Sequence, residues 1–196
     1  WRKAFCAPLT TADRERLETL SAAVDNLWSI HAGLQATLRG RTTDPLSVWG
    51  FTDPHAGQRP TTTADKDRIW SQEYLGDGVR FAPPYRRLRL VLDYWCALWF
   101  WPLDAADELP TRDEFWDELA WLLDTNLAPA AGQMGLFPTT APAEQSRDLA
   151  RKTGFVDVDK IVGLFPRLQR VRVMAGHYRF HHWELEFADQ FATRGG

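Results

Sequence analysis

Histidines and carboxylates that can bind a metal ion cluster near the end of the chain: His177, His181, His182, Glu184 and Glu186. Imidazole nitrogens and carboxylate oxygens at such spacing can hold zinc or non-haem iron, and on a helix His177 and His181 would share one face. However, bulky apolar residues alternate with them, and the two cysteines, Cys6 and Cys96, lie far from them in the sequence. We therefore predict no metal site, and interpret these residues as hydrogen-bonded polar groups in a packed region.

A second set of residues has the chemistry to bind phosphate. It consists of arginines in two runs: Arg86, Arg87, Arg89, Arg167, Arg170 and Arg172. Guanidinium groups on phosphate oxygens supply much of the sequence-independent affinity of DNA-binding proteins. The formal net charge of −3 excludes a histone-like basic protein, but it allows a local basic face. The alternative is a solvated face whose arginines form local ion pairs.

Aromatic residues offer a third kind of chemistry, because an exposed tryptophan can stack on a nucleic acid base. Trp95, Trp99 and Trp101 lie in the most apolar part of the chain, so we predict that they belong to the core. No nucleophile elbow, P-loop, dinucleotide fingerprint or paired-cysteine motif is present. The sequence therefore predicts no catalytic and no cofactor-binding residue within the chain.

The first element that would position these residues is a long helix over residues 11–39. Its apolar seam recurs at alternating spacings of three and four, with a histidine in one slot: Leu17, Leu20, Val24, Leu27, His31, Leu34 and Leu38. Thr10 or Thr11 can cap its start and Gly40 suits its end. Such a seam is typical of a helix that packs against another helix, inside or outside the chain.

The rest of the chain is predicted to be mainly α, in one helical segment with little β structure. Residues 41–84 have no sustained period and are expected to be irregular, apart from a short helix over 63–74. Core helices follow over 85–124. The first is apolar almost all round after Leu90 and is ended by Pro102, and the second begins at a capping box of Thr111 and Glu114. Within the first, Asp93 is expected to pair with Arg89, one turn earlier.

The C-terminal part, residues 143–196, is predicted to contain three helices and one extended stretch. The helices lie over 143–152, over 161–165 and, after Pro166, over 167–175. Residues 178–187 alternate loosely and are rich in aromatic rings. They are predicted to form a strand or an extended segment on the core.

Two stretches resemble a known family. Residues 179–189 read Arg-Phe-His-His-Trp-Glu-Leu-Glu-Phe-Ala-Asp and are followed by Gly195 and Gly196. Residues 93–102 read Asp-Tyr-Trp-Cys-Ala-Leu-Trp-Phe-Trp-Pro after an arginine-rich start. Both resemble large adenine-specific (N6) DNA methyltransferases of the restriction–modification and phage-defence type. In that family the C-terminal stretch runs into the strand that carries the Asn-Pro-Pro-aromatic catalytic loop, so this chain is expected to end just before the catalytic motif.

The resemblance implies a larger α/β, Rossmann-like enzyme that uses S-adenosylmethionine, with the cofactor motif upstream of this segment. In such an enzyme the target adenine is flipped out of the duplex and its amine attacks the methyl group of the cofactor. Trp183, Glu184 and Phe187 would support the catalytic loop, with both rings buried and Glu184 accepting hydrogen bonds. The implied partners are double-stranded DNA and the remaining domains of the same protein, in the cytoplasm, and no cofactor is expected on this segment.

A membrane partner is not expected. The longest apolar run, residues 94–103, is much shorter than the roughly 20 residues of a membrane-spanning helix. The alternative function is a non-enzymatic helical module that binds a protein or DNA partner, with the seam of residues 17–38 as its docking face.

Overall fold

The computed structural model describes residues 1–43, 49–50, 61–69, 71, 84–125 and 158–193. These residues form helices and no strand, so the fold is mainly α, as predicted. In chain order the elements are α1 (Arg2–Phe5), α2 (Thr11–Thr42), α3 (Thr63–Ile69), α4 (Pro84–Ala97), a 3-10 helix (Leu103–Glu108), α5 (Arg112–Leu123), α6 (Val158–Leu164), α7 (Pro166–Tyr178), α8 (Trp183–Glu186) and α9 (Ala188–Thr193). The predicted helix over 143–152 and residues 194–196 lie outside the described residues.

The long helix α2 begins where the sequence predicts. The Asp13 amide donates to the Thr10 hydroxyl oxygen over 3.1 Å, and the Thr10 amide donates to the Asp13 carboxylate over 2.8 Å. This reciprocal pair satisfies two backbone donors at the start of the helix. The predicted stop at Gly40 is wrong, because α2 continues to Thr42. A glycine inside a helix costs only about 1 kcal/mol relative to alanine, which the contacts of the last turn can offset.

The buried stripe of α2 differs from the apolar seam in the sequence. Leu20, Leu27 and Leu38 are buried, but Leu34 is half-exposed and Gln35 lies in the interior instead. At about 100° per residue, Leu34 and Gln35 lie on opposite edges of the line through Leu27, His31 and Leu38. The backbone carbonyls of Leu185 and Glu186 face Gln35, so its edge is the one that is buried. The stripe therefore packs inside this chain with a polar residue in it.

Helix α4 is not buried on every side, so the prediction that Trp95 and Trp99 belong to the core is wrong. Tyr94 and Ala97 are buried, whereas Trp95 and Trp99 are about half-exposed. The elements that contact α4 are α2, α5, α7 and α8, and they cover the side of Tyr94 and leave the side of Trp95 open. The helix also ends at Ala97, before Pro102, so the proline does not terminate it.

Trp101 is buried, as predicted for all three tryptophans of this stretch. Its indole N–H donates to the Ala105 carbonyl over 2.9 Å, which satisfies the one polar atom of the ring. The following helix α5 starts at the predicted capping box, in which the Glu114 amide donates to the Thr111 hydroxyl oxygen over 3.3 Å.

The core contains charged groups that are paired. Glu118 of α5 is buried, accepts a hydrogen bond of 2.5 Å from the Tyr94 hydroxyl and forms an ion pair with Arg167 of α7. Burial raises the pKa of Glu118, and it raises the pKa of Tyr94 as well. Because an uncompensated buried charge is costly, this triad fixes α4, α5 and α7 in one arrangement.

The C-terminal residues are helical. Helix α7 begins at Pro166, as predicted, and ends at Tyr178; the next residue, Arg179, has a φ of 54°, which lies in the left-handed region. The prediction of a strand or an extended segment over 178–187 is wrong for Tyr178, which ends α7, and for residues 183–186, which form α8. Residues 180–182, between them, are not helical. Among the described residues, no helix has both the length and the apolar character needed to cross a membrane.

Candidate functional site

Residues 185–189 lie in the stretch that resembles the lead-in to a catalytic loop. Side chains of α2 hold these residues in place through hydrogen bonds to their backbone. The ring Nε2 of His31 donates to the Leu185 carbonyl over 2.9 Å. The amide nitrogen of Gln35 donates to the same oxygen over 3.0 Å and to the Glu186 carbonyl over 3.2 Å. In return, the Asp189 amide donates to the side-chain oxygen of Gln35 over 3.3 Å. His31 and Gln35 of α2 thus satisfy polar backbone groups of residues 185–189, about 150 positions away. We call these contacts the backbone clamp.

Two side-chain contacts add to this backbone clamp. Arg39, at the end of α2, places both its Nε and its Nη2 on the carboxylate of Asp189, the latter over 2.9 Å. The hydrogen bonds from Arg39 hold the pKa of this buried carboxyl below its usual range, although burial opposes them. On the other side, the Tyr85 hydroxyl of α4 donates to Glu186 over 2.6 Å. Burial, followed by this hydrogen bond, raises the pKa of Tyr85 to about 12.

A second polar cluster joins the same segment to the basic start of α4. The ring Nε2 of His182 donates to the carboxylate of Asp93 over 2.7 Å, and both side chains are nearly buried. Arg89 lies 3.8 Å from Asp93, which confirms the predicted pair, but His182 is the closer partner. Arg89 also donates to the Tyr85 hydroxyl oxygen over 3.1 Å. The arginine turn and the C-terminal segment are therefore parts of one hydrogen-bonded network.

The residues predicted to support a catalytic loop face outward. Trp183 is 64% exposed and Phe187 is 41% exposed, so the prediction that both are buried is wrong. Their rings stack on each other, with centroids 5.6 Å apart. Glu184 is exposed too, and Glu186 is the glutamate that accepts the Tyr85 hydrogen bond. Because Leu185 faces the core and is only 2% exposed, its neighbours 183 and 187 point to the other side of the turn.

The histidines do not form a metal site among the described residues, where no group of three or more His, Cys, Asp or Glu side chains is arranged to hold an ion. His177 and His181 do not share a helix face, because α7 ends at Tyr178. His181 packs edge-on against the Trp183 ring, with centroids 4.6 Å apart.

Two of the six candidate phosphate-binding arginines are used inside the fold. Arg87 turns inward, and its Nε donates to the Leu122 carbonyl over 2.7 Å. Burial lowers the pKa of Arg87. Arg167 is bound to Glu118 and also donates to the Glu108 carbonyl over 2.9 Å. These contacts join helices, so Arg87 and Arg167 have structural roles. The other four arginines remain as candidates for binding phosphate.

Three of those four arginines line one open groove between α4, α6 and α7. Arg86, Arg89 and Arg172 border a volume of about 450 Å³, together with Asp93 and Asp159. Arg170 lies elsewhere. It forms a two-pronged pair with Glu108, over 2.6 and 2.8 Å, and its guanidinium lies 5.9 Å from the centroid of the Trp101 ring.

The sequence contained only a weak indication that His31, Gln35, Arg39 and Asp189 would form the clamp. His31 occupies a slot in the apolar seam, and a polar residue at such a position must find a partner when it is buried. Gln35 gave no such signal, because it stands beside Leu34, which fits the seam better. Asp189 was part of the resemblance, but nothing in its sequence neighbourhood pointed to Arg39.

Comparison of the chain with protein-family models, with curated proteins and with solved structures finds no match.

Proposed function

We propose that this chain is a helical segment of an S-adenosylmethionine-dependent adenine-N6 DNA methyltransferase of a restriction or phage-defence system. In this proposal the segment holds the lead-in to the catalytic loop, and the protein acts on double-stranded DNA in the cytoplasm. The observation that carries the proposal is the clamp on residues 185–189, the part of the chain that resembles that lead-in. His31, Gln35 and Arg39 bind its backbone carbonyls, a backbone amide and its one buried carboxylate.

Such a clamp suits a supporting role in catalysis. A loop that polarises the amine of a flipped base must be held to within about 0.5 Å of its working position by the groups behind it. Hydrogen bonds to the backbone fix position and direction whichever side chains the segment presents to solvent. The exposed, stacked pair of Trp183 and Phe187 is then available to contact a further part of the proposed parent enzyme.

In this proposal the segment itself does not bind the cofactor. Nucleotide-type cofactors are bound where a strand passes through a glycine-rich turn into a helix, and the described residues contain no strand. In the proposed parent, a Rossmann-like domain outside this segment binds S-adenosylmethionine. The methyl-transfer chemistry is therefore assigned to that domain and to the catalytic loop.

The alternative, a non-enzymatic helical module, cannot use the face first expected for it. Leu20, Leu27 and Leu38 of the α2 seam are buried in the chain's own core. A module of this kind would instead present the half-exposed rings of Trp95, Trp99 and Phe100 to a partner.

The proposal is tested by reading the coding sequence beyond Gly196 and by assaying the encoded full-length protein. We expect an Asn-Pro-Pro-aromatic motif shortly after Gly196 and transfer of labelled methyl groups to adenine in duplex DNA. Asp189→Asn should lower kcat and leave KM for DNA nearly unchanged, because the clamp acts on the loop and not on DNA. Asp25→Asn, on the exposed side of α2, is the matched control. A stop codon directly after Gly196, or a full-length protein without methyl transfer, would reject the enzyme.

A further inference from the structure

Asp159 stands in the groove at the place where a bound anion would meet two arginines. One of its carboxylate oxygens accepts a hydrogen bond of 2.8 Å from Arg172. Arg86 donates to both oxygens, over 3.0 and 3.3 Å. Asp159 belongs to α6, whereas the arginines belong to α4 and α7. Two guanidinium groups from different helices therefore converge on one small anion.

This carboxylate is a replaceable ligand. All three side chains are partly exposed, at 53% for Asp159, 47% for Arg172 and 38% for Arg86. Burial acts to raise the pKa of Asp159, but the hydrogen bonds from Arg172 and Arg86 outweigh it and lower the pKa. The group is thus charged at neutral pH. Exposed ion pairs are worth only about 0–1 kcal/mol each, so an incoming anion of higher charge can displace the carboxylate.

A phosphate group is the anion that fits this arrangement best. It offers more oxygens than a carboxylate, and guanidinium groups bind phosphate in two-pronged geometry. The remaining charged groups of the groove are Arg89 and Asp93, which lie 3.8 Å apart and largely offset each other. With Asp159 in place, three arginines against two aspartates leave the groove a net charge of +1. With Asp159 displaced or neutralised, Arg86 and Arg172 give it a clear positive charge.

We propose that Asp159 occupies a DNA phosphate site and competes with the DNA backbone for Arg86 and Arg172. The inference rests on the proposed function in one respect, that the polyanion is duplex DNA. It predicts that the acidic residue weakens DNA binding, and that its neutralisation strengthens the binding of all sequences alike. Backbone contacts of this kind carry no sequence information.

The test compares two substitutions with the same change in charge. Asp159→Asn frees Arg86 and Arg172 inside the groove. Glu108→Gln frees Arg170, which is paired with Glu108 through two nitrogens and lies outside the groove. Binding of the 196-residue chain to a short fluorescent DNA duplex of arbitrary sequence is measured by anisotropy over a series of salt concentrations.

We expect Asp159→Asn to bind about threefold to fivefold more tightly than the wild type, as for the loss of one exposed ion pair. Its log–log salt slope should steepen by about one. Glu108→Gln should change the affinity by less than about twofold. Adding Arg172→Ala to Asp159→Asn should remove the gain. Melting temperatures of the variants show whether any difference reflects folding.

Equal gains for Asp159→Asn and Glu108→Gln would mean that net charge alone is responsible, and would overturn the proposal. So would an unchanged or weaker affinity of a folded Asp159→Asn variant, or a larger gain on single-stranded RNA than on the duplex. The experiment distinguishes a failure of this phosphate site from a failure of the proposed methyltransferase function. If the full-length protein transfers methyl groups but Asp159→Asn does not change DNA binding, only the phosphate site is rejected. If Asp159→Asn strengthens DNA binding but the full-length protein transfers no methyl group, the protein is a DNA-binding module and not the enzyme.

Discussion

Replacing Gln35 with alanine should destabilise the fold by about 1.5–4 kcal/mol, although the side chain lies on a helix that alanine itself favours. The figure follows from what each partner loses. The Leu185 carbonyl keeps its hydrogen bond from His31, so its loss is small. The buried Asp189 amide loses an acceptor, and an unsatisfied buried donor costs about 1–3 kcal/mol. The Glu186 carbonyl is only partly buried, and its lost bond adds about 0.5–1 kcal/mol because water can replace it in part.

The matched control is Gln169→Ala. Gln169 lies on α7, is exposed and donates to the Gly163 carbonyl over 3.1 Å. The same atoms are removed, but both hydrogen-bonding groups remain in water, so we expect a change below about 0.5 kcal/mol. Gln35→Glu provides a further check, because it keeps the size of the side chain and replaces the amide donor with oxygens that face two carbonyls. It should destabilise at least as much as Gln35→Ala.

The assay is urea unfolding of the 196-residue chain, followed by tryptophan fluorescence and fitted to a two-state transition. Amide hydrogen exchange supplies a local readout, because the clamp should protect the backbone of residues 185–189 from solvent. In the Gln35→Ala variant this protection should fall first. If Gln35→Ala and Gln169→Ala lowered the free energy of unfolding equally, the clamp would not stabilise the segment and the argument for a supporting role would fail.

Two further predictions concern the same segment. Leu185→Ala should lower the free energy of unfolding by about 2–5 kcal/mol, as for other buried leucines. Trp183→Ala should lower it by less than about 1 kcal/mol, because its ring is mostly in water. Urea unfolding of both variants checks this order, and a larger loss for Trp183→Ala would contradict the assignment of the buried face. The lowered pKa of Asp189 means that its pairing with Arg39 stabilises the fold above the unfolded-state pKa of about 3.9 and ceases to do so as the pH falls through the folded-state pKa. Asp189→Asn should therefore be less stable than the wild type at pH 7, and the difference should shrink steadily below about pH 4, whereas a difference that is the same at pH 7 and pH 3 would refute the linkage.

The resemblance to adenine-specific methyltransferases remains a prediction. One of the two stretches that carry it, residues 179–189, contains the residues that side chains of α2 and α4 hold through hydrogen bonds. The burial of Trp183 and Phe187, which was predicted because these rings were expected to support the catalytic loop, is wrong. The contacts that hold the segment are made by its backbone, by Glu186 and by Asp189.

The sequence by itself determined where three of the helices begin. The capping boxes at Thr10 and Thr111 and the start of α7 at Pro166 all depend on residues within one turn of each other. Interactions of this range are present in the chain before any tertiary contact forms, so they can be recognised from spacing and residue type.

Only the tertiary structure decided which faces are buried and which polar groups meet. The partners of Gln35 and Arg39 are about 150 positions away, and no local pattern encodes such a pair. Leu34 and Gln35 flank the same buried stripe of α2, and the placement of residues 185–189 decided that the edge of Gln35 is the covered one. A polar side chain in that position is stable only because the backbone of residues 185–189 lies opposite it and supplies its hydrogen-bonding partners.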